Sequence, residues 1–131
     1  MRVGLLLVAA LLLIPGNVLA LSDDETRNNM AADYATCASY YFHCSKCFEN
    51  EGRRKEADAY MASVTDFLTL SEALSNAEVT AARFHVYKTQ DAELAKNNCS
   101  NIAILIAKHE AVCALLKNDP DSRVRYYQMK L

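Results

Sequence analysis

From Ser22 onward, apolar positions recur at helical spacing, and in that stretch only Gly52 and Pro120 punctuate the chain. Met30, Tyr34, Cys37, Tyr41, Cys44 and Phe48 alternate steps of four and three, one continuous stripe on a first helix. Ser22-Asp23-Asp24-Glu25 opens that helix as a capping box, and Gly52 suits its C-terminal stop. A second helix is predicted over about 55–74, with Tyr60, Met61, Val64, Leu68 and Leu74 inward. Ser75-Asn76-Ala77-Glu78 repeats the capping box and opens a third helix running to about Lys96. Its apolar face (Val79, Ala82, Val86, Leu94) is weakened by Thr89, Gln90 and Asp91. After Asn97-Asn98, a fourth helix over about 100–117 carries Ile102, Leu105, Ile106, His109, Val112, Cys113 and Leu116 on one face. The third and fourth segments also suit one long kinked helix. Asp119-Pro120 caps a short tail helix over 120–129. The pattern predicts an all-α fold: a small disulfide-stapled four-helix bundle, up-down-up-down, with a short C-terminal helix.

The first twenty residues follow a different pattern. Arg2 precedes an unbroken apolar run over residues 3–14, Pro15-Gly16 breaks it, and Val18-Leu19-Ala20 suits cleavage after Ala20. The run is shorter than the roughly 20 residues that cross a bilayer. Residues 1–20 therefore read as a signal peptide and 21–131 as a single helical domain, periplasmic or secreted. The longest later apolar run, residues 102–107, is shorter still, so no membrane span is expected after cleavage.

With 16 acidic and 14 basic residues the formal charge is −2, and loss of Arg2 makes it more negative. That balance argues against nucleic acid or an anionic membrane, both of which reward a basic surface. Arg53-Arg54-Lys55, beside Gly52, reads as a solvated turn.

All five cysteines, Cys37, Cys44, Cys47, Cys99 and Cys113, follow the leader, and an exported chain meets an oxidising compartment. Five is odd, so at least one thiol is left over, which leaves open a disulfide-linked dimer through it. With the first and fourth helices antiparallel and Cys37 set against Cys113, Cys44 and Cys47 lie about 10 and 15 Å further along the first helix, and Cys99 about 21 Å back along the fourth. Axial distance favours Cys47 for Cys99, whereas azimuth favours Cys44. The order of expectation is Cys37–Cys113, then Cys47–Cys99, then Cys44–Cys99.

The cysteines carry two sharper chemistries. Cys44-Ser45-Lys46-Cys47 is a CxxC motif, but it lies inside a helix and lacks the N-terminal dipole that lowers a redox thiol's pKa. Cys44, Cys47, His109 and Cys113 are a tetrahedral zinc set by residue type, with His109 and Cys113 one turn apart. His109 on an apolar stripe also suits a hydrogen-bonded core histidine. Phe48 after Cys47 argues against c-type haem, and no cofactor is expected. Asn98-Cys99-Ser100 is a glycosylation sequon, relevant only in a eukaryotic host. Asp33, Glu49, Glu51, Asp58 and Asp66 read as solvated helix faces. There are seven tyrosines and no tryptophan, and Tyr126-Tyr127 near the end suits either a contact patch or packing back onto the bundle.

The run Asp33-Tyr34-Ala35-Thr36-Cys37-Ala38-Ser39-Tyr40-Tyr41, with His109-Glu110-Ala111-Val112-Cys113, Leu115-Leu116, Asp119-Pro120, Arg123 and Tyr126, resembles small exported, uncharacterised proteins of Gram-negative bacteria. That resemblance implies a helical fold, a periplasmic or secreted location and Cys37–Cys113 as the shared bridge, with Cys44, Cys47 and Cys99 as additions. It brings no activity. With no catalytic motif such as GxSxG, HExxH or a phosphate loop, the chain reads as a non-enzymatic module binding an unknown protein partner. The alternative is a thiol-redox or metal-responsive protein using Cys44 and Cys47.

Overall fold

The computed structural model describes residues 16–130, with side chains from Asp24. Most of the predicted leader, residues 1–15, lies outside the described residues; Gly16–Ala20 form the first turns of a helix. Five α-helices follow in order: α1 (Gly16–Asn50), α2 (Arg54–Leu74), α3 (Ala77–Leu94), α4 (Ile102–Asn118) and α5 (Pro120–Met129). A 3-10 turn, Cys99–Asn101, leads into α4, and no strand occurs among the described residues. α3 and α4 are therefore separate helices rather than one kinked helix.

α1 begins six residues before the capping box expected at Ser22. In the uncut chain nothing between Asn17 and Leu21 breaks a helix, so the helix propagates upstream instead of starting there. Its C-terminus is a Schellman turn: the Arg53 amide bonds to the Phe48 carbonyl (2.9 Å), the Gly52 amide to that of Glu49 (3.0 Å), and Gly52 takes φ +75°. The end of α3 repeats the motif without glycine. There the Asn97 amide bonds to Ala92 (2.8 Å) and that of Lys96 to Glu93 (3.0 Å), with φ +54° at Lys96 and +51° at Asn97. At the start of α3 the cap is Asn76, whose side chain accepts from the Val79 amide; Ser75 bonds back to Ser71.

α1 is the axis on which the other four helices pack. α2 returns antiparallel to it: Ser45 Oγ donates to the Ala57 carbonyl (2.7 Å) and Ser71 Oγ to that of Ala31 (2.8 Å). α4 is tied antiparallel by two disulfides, Cys37–Cys113 and Cys47–Cys99, each with Cα atoms 5.5 Å apart. These are the pairs ranked first and second above. The core is aromatic. Tyr41 stacks on Phe67 (centroids 5.3 Å), and Tyr34 joins the same ring (5.5 Å). Leu105, Cys113 and Leu116 close over it from α4.

Three expectations about faces need correction. On α3, Val79, Val86 and Leu94 are 37–47 % exposed, while Thr80 and Asp91 are buried. α1 and α2 offer Ser39 and Ser71 to this helix, so polar side chains that can pair with them turn inward. On α4, Ile106 is 43 % exposed; the buried stripe is Leu105, His109, Cys113 and Leu116. Finally, within the 20-residue segment Cys99–Asn118 a window of 18 residues has a mean hydropathy of 1.5, long and apolar enough by composition to cross a membrane. Counting unbroken runs missed it because Lys108, His109 and Glu110 split the segment into two apolar runs, residues 102–107 and 111–116, that only an average across both detects. Here the segment is bridged to α1 near both ends.

α5 is latched to α1 by one polar knot. Asp33 accepts from Arg123 Nε (2.7 Å) and from the Tyr127 hydroxyl (2.7 Å), and Arg123 Nη2 also reaches that hydroxyl (2.9 Å). Asp33 is therefore a half-buried structural acceptor rather than a solvated face.

Candidate functional site

Two polar clusters flank α4, built on its consecutive residues His109 and Glu110. The first lies between α1, α3 and α4. Asp91 is buried, accepting Ser39 Oγ at 2.8 Å on one oxygen and facing His109 Nε2 at 2.9 Å with the other; Lys108 Nζ stands 3.6 Å away. Burial works against the Asp91 charge. The hydrogen bonds from His109 and Ser39, with the charges of His109 and Lys108, outweigh it and hold the carboxyl below its ordinary value. Both carboxylate oxygens are engaged.

The second cluster lies where α2 and α4 both rest on α1 and leave a groove between them. Tyr40, fully buried on α1, donates its hydroxyl to Glu110 Oε2 at 2.5 Å. Burial, then that bond, pushes the Tyr40 phenol far up. Tyr41 follows on the neighbouring turn face and packs against Tyr60 of α2 (centroids 5.6 Å). Tyr41 is 7 % exposed, and its hydroxyl, which has no hydrogen-bond partner among the described residues, reaches solvent. Burial, then the charge of Glu110 with Tyr60 and Cys44 close by, pushes its phenol up to about 12. The Tyr60 phenol is raised by burial and the same neighbours. A cavity of about 420 Å³ opens over this point, lined by Tyr41, Ala59, Tyr60, Ser63, Glu110, Ala114, Lys117 and Asn118.

Cys44 sits beneath Tyr40 as the free, buried thiol. Burial pushes it up to about 11, against a lowering hydrogen bond from Tyr40 and with a further push from Glu110. It is a protonated thiol at neutral pH and has none of the thiolate character that nucleophilic or ligand cysteines need. A small cavity of about 90 Å³ touches Cys44, Cys47, Tyr40 and Ile106.

The predicted chemistry of the cysteines is rearranged by this packing. Cys47 bonds to Cys99 rather than forming a pair with Cys44. The zinc set Cys44, Cys47, His109 and Cys113 is not assembled: Cys47 and Cys113 are in separate disulfides, which leave no thiolate to coordinate, and His109 faces Asp91. Among the described residues no group of three potential ligands comes together. A covalent dimer through Cys44 would require α1 to part from its neighbours, since the thiol is buried. The two tail tyrosines separate: Tyr127 is anchored on Asp33, whereas Tyr126 is 37 % exposed under Arg123 and Lys130.

Tyr40, Tyr60 and Glu110 were not singled out as site residues from the sequence, and Tyr41 was read only as core. One signal was available for Glu110. Its neighbours one turn away on α4 are Ile106, Ala107, Cys113 and Ala114, so it is a carboxylate with no cation within one turn of its own helix. No protein-family model, no curated protein and no solved structure matches the chain.

Proposed function

We propose that this protein is an exported, non-enzymatic binding module whose recognition face is the groove between α2 and α4. The observation that carries the reading is the Tyr41–Tyr60–Glu110 cluster: two aromatic rings and an exposed carboxylate, held on one oxygen by Tyr40 and without a salt-bridge partner among the described residues, lining one open cavity. A concave surface walled by aromatic rings with a few fixed polar groups is the usual form of a binding site. Export is supported by the apolar leader pattern, and the two disulfides are compatible with an oxidising compartment. The antiparallel α2 and α4, with α3 on α1 through Ser39–Asp91 and His43–Lys88, support an up-down-up-down frame braced by α5.

A photo-crosslinking amino acid at Ser63, on the groove wall, and another at exposed Val86, on α3, test the reading in the native host. Adducts to one defined partner from position 63 and none from 86 are expected. Adducts from 86 alone, or none from 63, would overturn the choice of face. The redox alternative predicts a readily alkylated Cys44; intact mass after alkylation of the folded protein is expected to show no label.

A further inference from the structure

We infer that the groove binds a primary alkyl ammonium, seated on Glu110 between Tyr41 and Tyr60, whose far end carries an anion that reaches Lys117. The inference rests on the groove being the recognition face and names the chemistry of its ligand. Glu110 is fixed by Tyr40 through one oxygen, has no salt-bridge partner among the described residues, and has no basic residue one turn away on α4. A carboxylate beside aromatic rings is a cation site: the ring faces attract an ammonium, and the Tyr41 hydroxyl accepts from it. Lys117 lines the same cavity seven residues on, nearly on the same helix face and about 10 Å further along the axis. The same cavity is also walled by Ala59, Ser63 and Ala114, small enough to pass an alkyl chain. The cavity thus carries a carboxylate and, about 10 Å along the helix axis, an ammonium, the complement of an ω-amino acid. Both a free ω-amino acid and the C-terminal lysine of a polypeptide present that chemistry.

The test is titration of the oxidised protein, followed by amide NMR, with 6-aminohexanoate, Nα-acetyl-lysine, pentylamine and hexanoate as probes. Both zwitterions are expected to shift the amides of Tyr60, Ser63, Glu110 and Ala114, pentylamine more weakly, and hexanoate not at all. Preference for Nα-acetyl-lysine assigns the site to a polypeptide C-terminus, and preference for 6-aminohexanoate to a free amino acid. Glu110→Gln is expected to weaken both zwitterions at least tenfold, and Lys117→Gln to reduce 6-aminohexanoate to the level of pentylamine. Ser63→Arg, which puts a guanidinium in the cavity and leaves the Tyr40–Glu110 bond in place, is expected to abolish binding in a folded protein. Absence of shifts with every amine, equal binding by hexanoate, or unchanged affinity in Glu110→Gln would overturn the inference. Crosslinks from position 63 would survive that outcome, so failure of the ligand class is separable from failure of the recognition face.

Discussion

His109 and Glu110 follow one another on α4, and the clusters they join differ in closure. On the α3 side Asp91 is sealed, and both of its oxygens are engaged by partners from α1 and α4. On the α2 side Glu110 has one neutral donor, and the Tyr41 hydroxyl beside it has none among the described residues. The same residue types, a carboxylate with hydroxyls from α1, give a structural knot where a third helix closes over them and an open groove where α2 stands off. What separates the two is the packing of the neighbouring helix, not the chemistry of the side chains.

The contrast breaks most visibly at its closed end. Asp91→Ala leaves Ser39 and His109 buried without an acceptor and is expected to cost about 3–5 kcal/mol in urea unfolding. The pH dependence carries a sign. The folded Asp91 pKa lies below the unfolded value of about 3.9, so its stabilisation is present above about pH 4 and is lost as pH falls through the folded value. Wild type and Asp91→Asn unfolding curves should therefore converge as the solution is acidified below about pH 4. Failure to converge would show that Asp91 is not held ionised.

The covalent frame shared by both clusters ranks next. Replacing Cys37 and Cys113 with serine is expected to destabilise by about 2–4 kcal/mol, read as a lower denaturant midpoint. A smaller effect of opposite sign sits at the hinge between α3 and α4. Lys96 occupies the left-handed position of a Schellman turn, so Lys96→Gly should stabilise by about 1 kcal/mol. The open end comes last. Glu110→Gln keeps an acceptor for Tyr40 and should shift stability by less than about 1 kcal/mol, although it is expected to remove amine binding. A stability loss as large as that of Asp91→Ala would mean the two clusters are both structural and would erase the contrast.

Much of this architecture was legible in the sequence, and the exceptions share a cause. The stripe Met30–Tyr34–Cys37–Tyr41–Cys44 located the axis helix because these positions are all apolar or aromatic and all buried. α3 was misread because its inward face holds Thr80 and Asp91, and periodicity of apolar residues does not register a polar side chain that finds its partners only after folding. Axial distance along two antiparallel helices was enough to rank Cys47 above Cys44 for Cys99. The candidate groove stayed hidden for a different reason. Tyr41, Tyr60 and Glu110 come from three helices, and no spacing within one helix reveals that their polar ends meet.

The two bridges are nested, with Cys47–Cys99 inside the span closed by Cys37–Cys113. Any single peptide bond cut between residues 48 and 98 therefore lies inside both loops. A protease that nicks the basic turn at Arg53-Arg54, or the links at Ser75 and Asn97, would leave a two-chain molecule still joined by two covalent ties. A protein built this way survives a first cleavage as one particle, and its nicked form would run intact on a gel until a reductant is added.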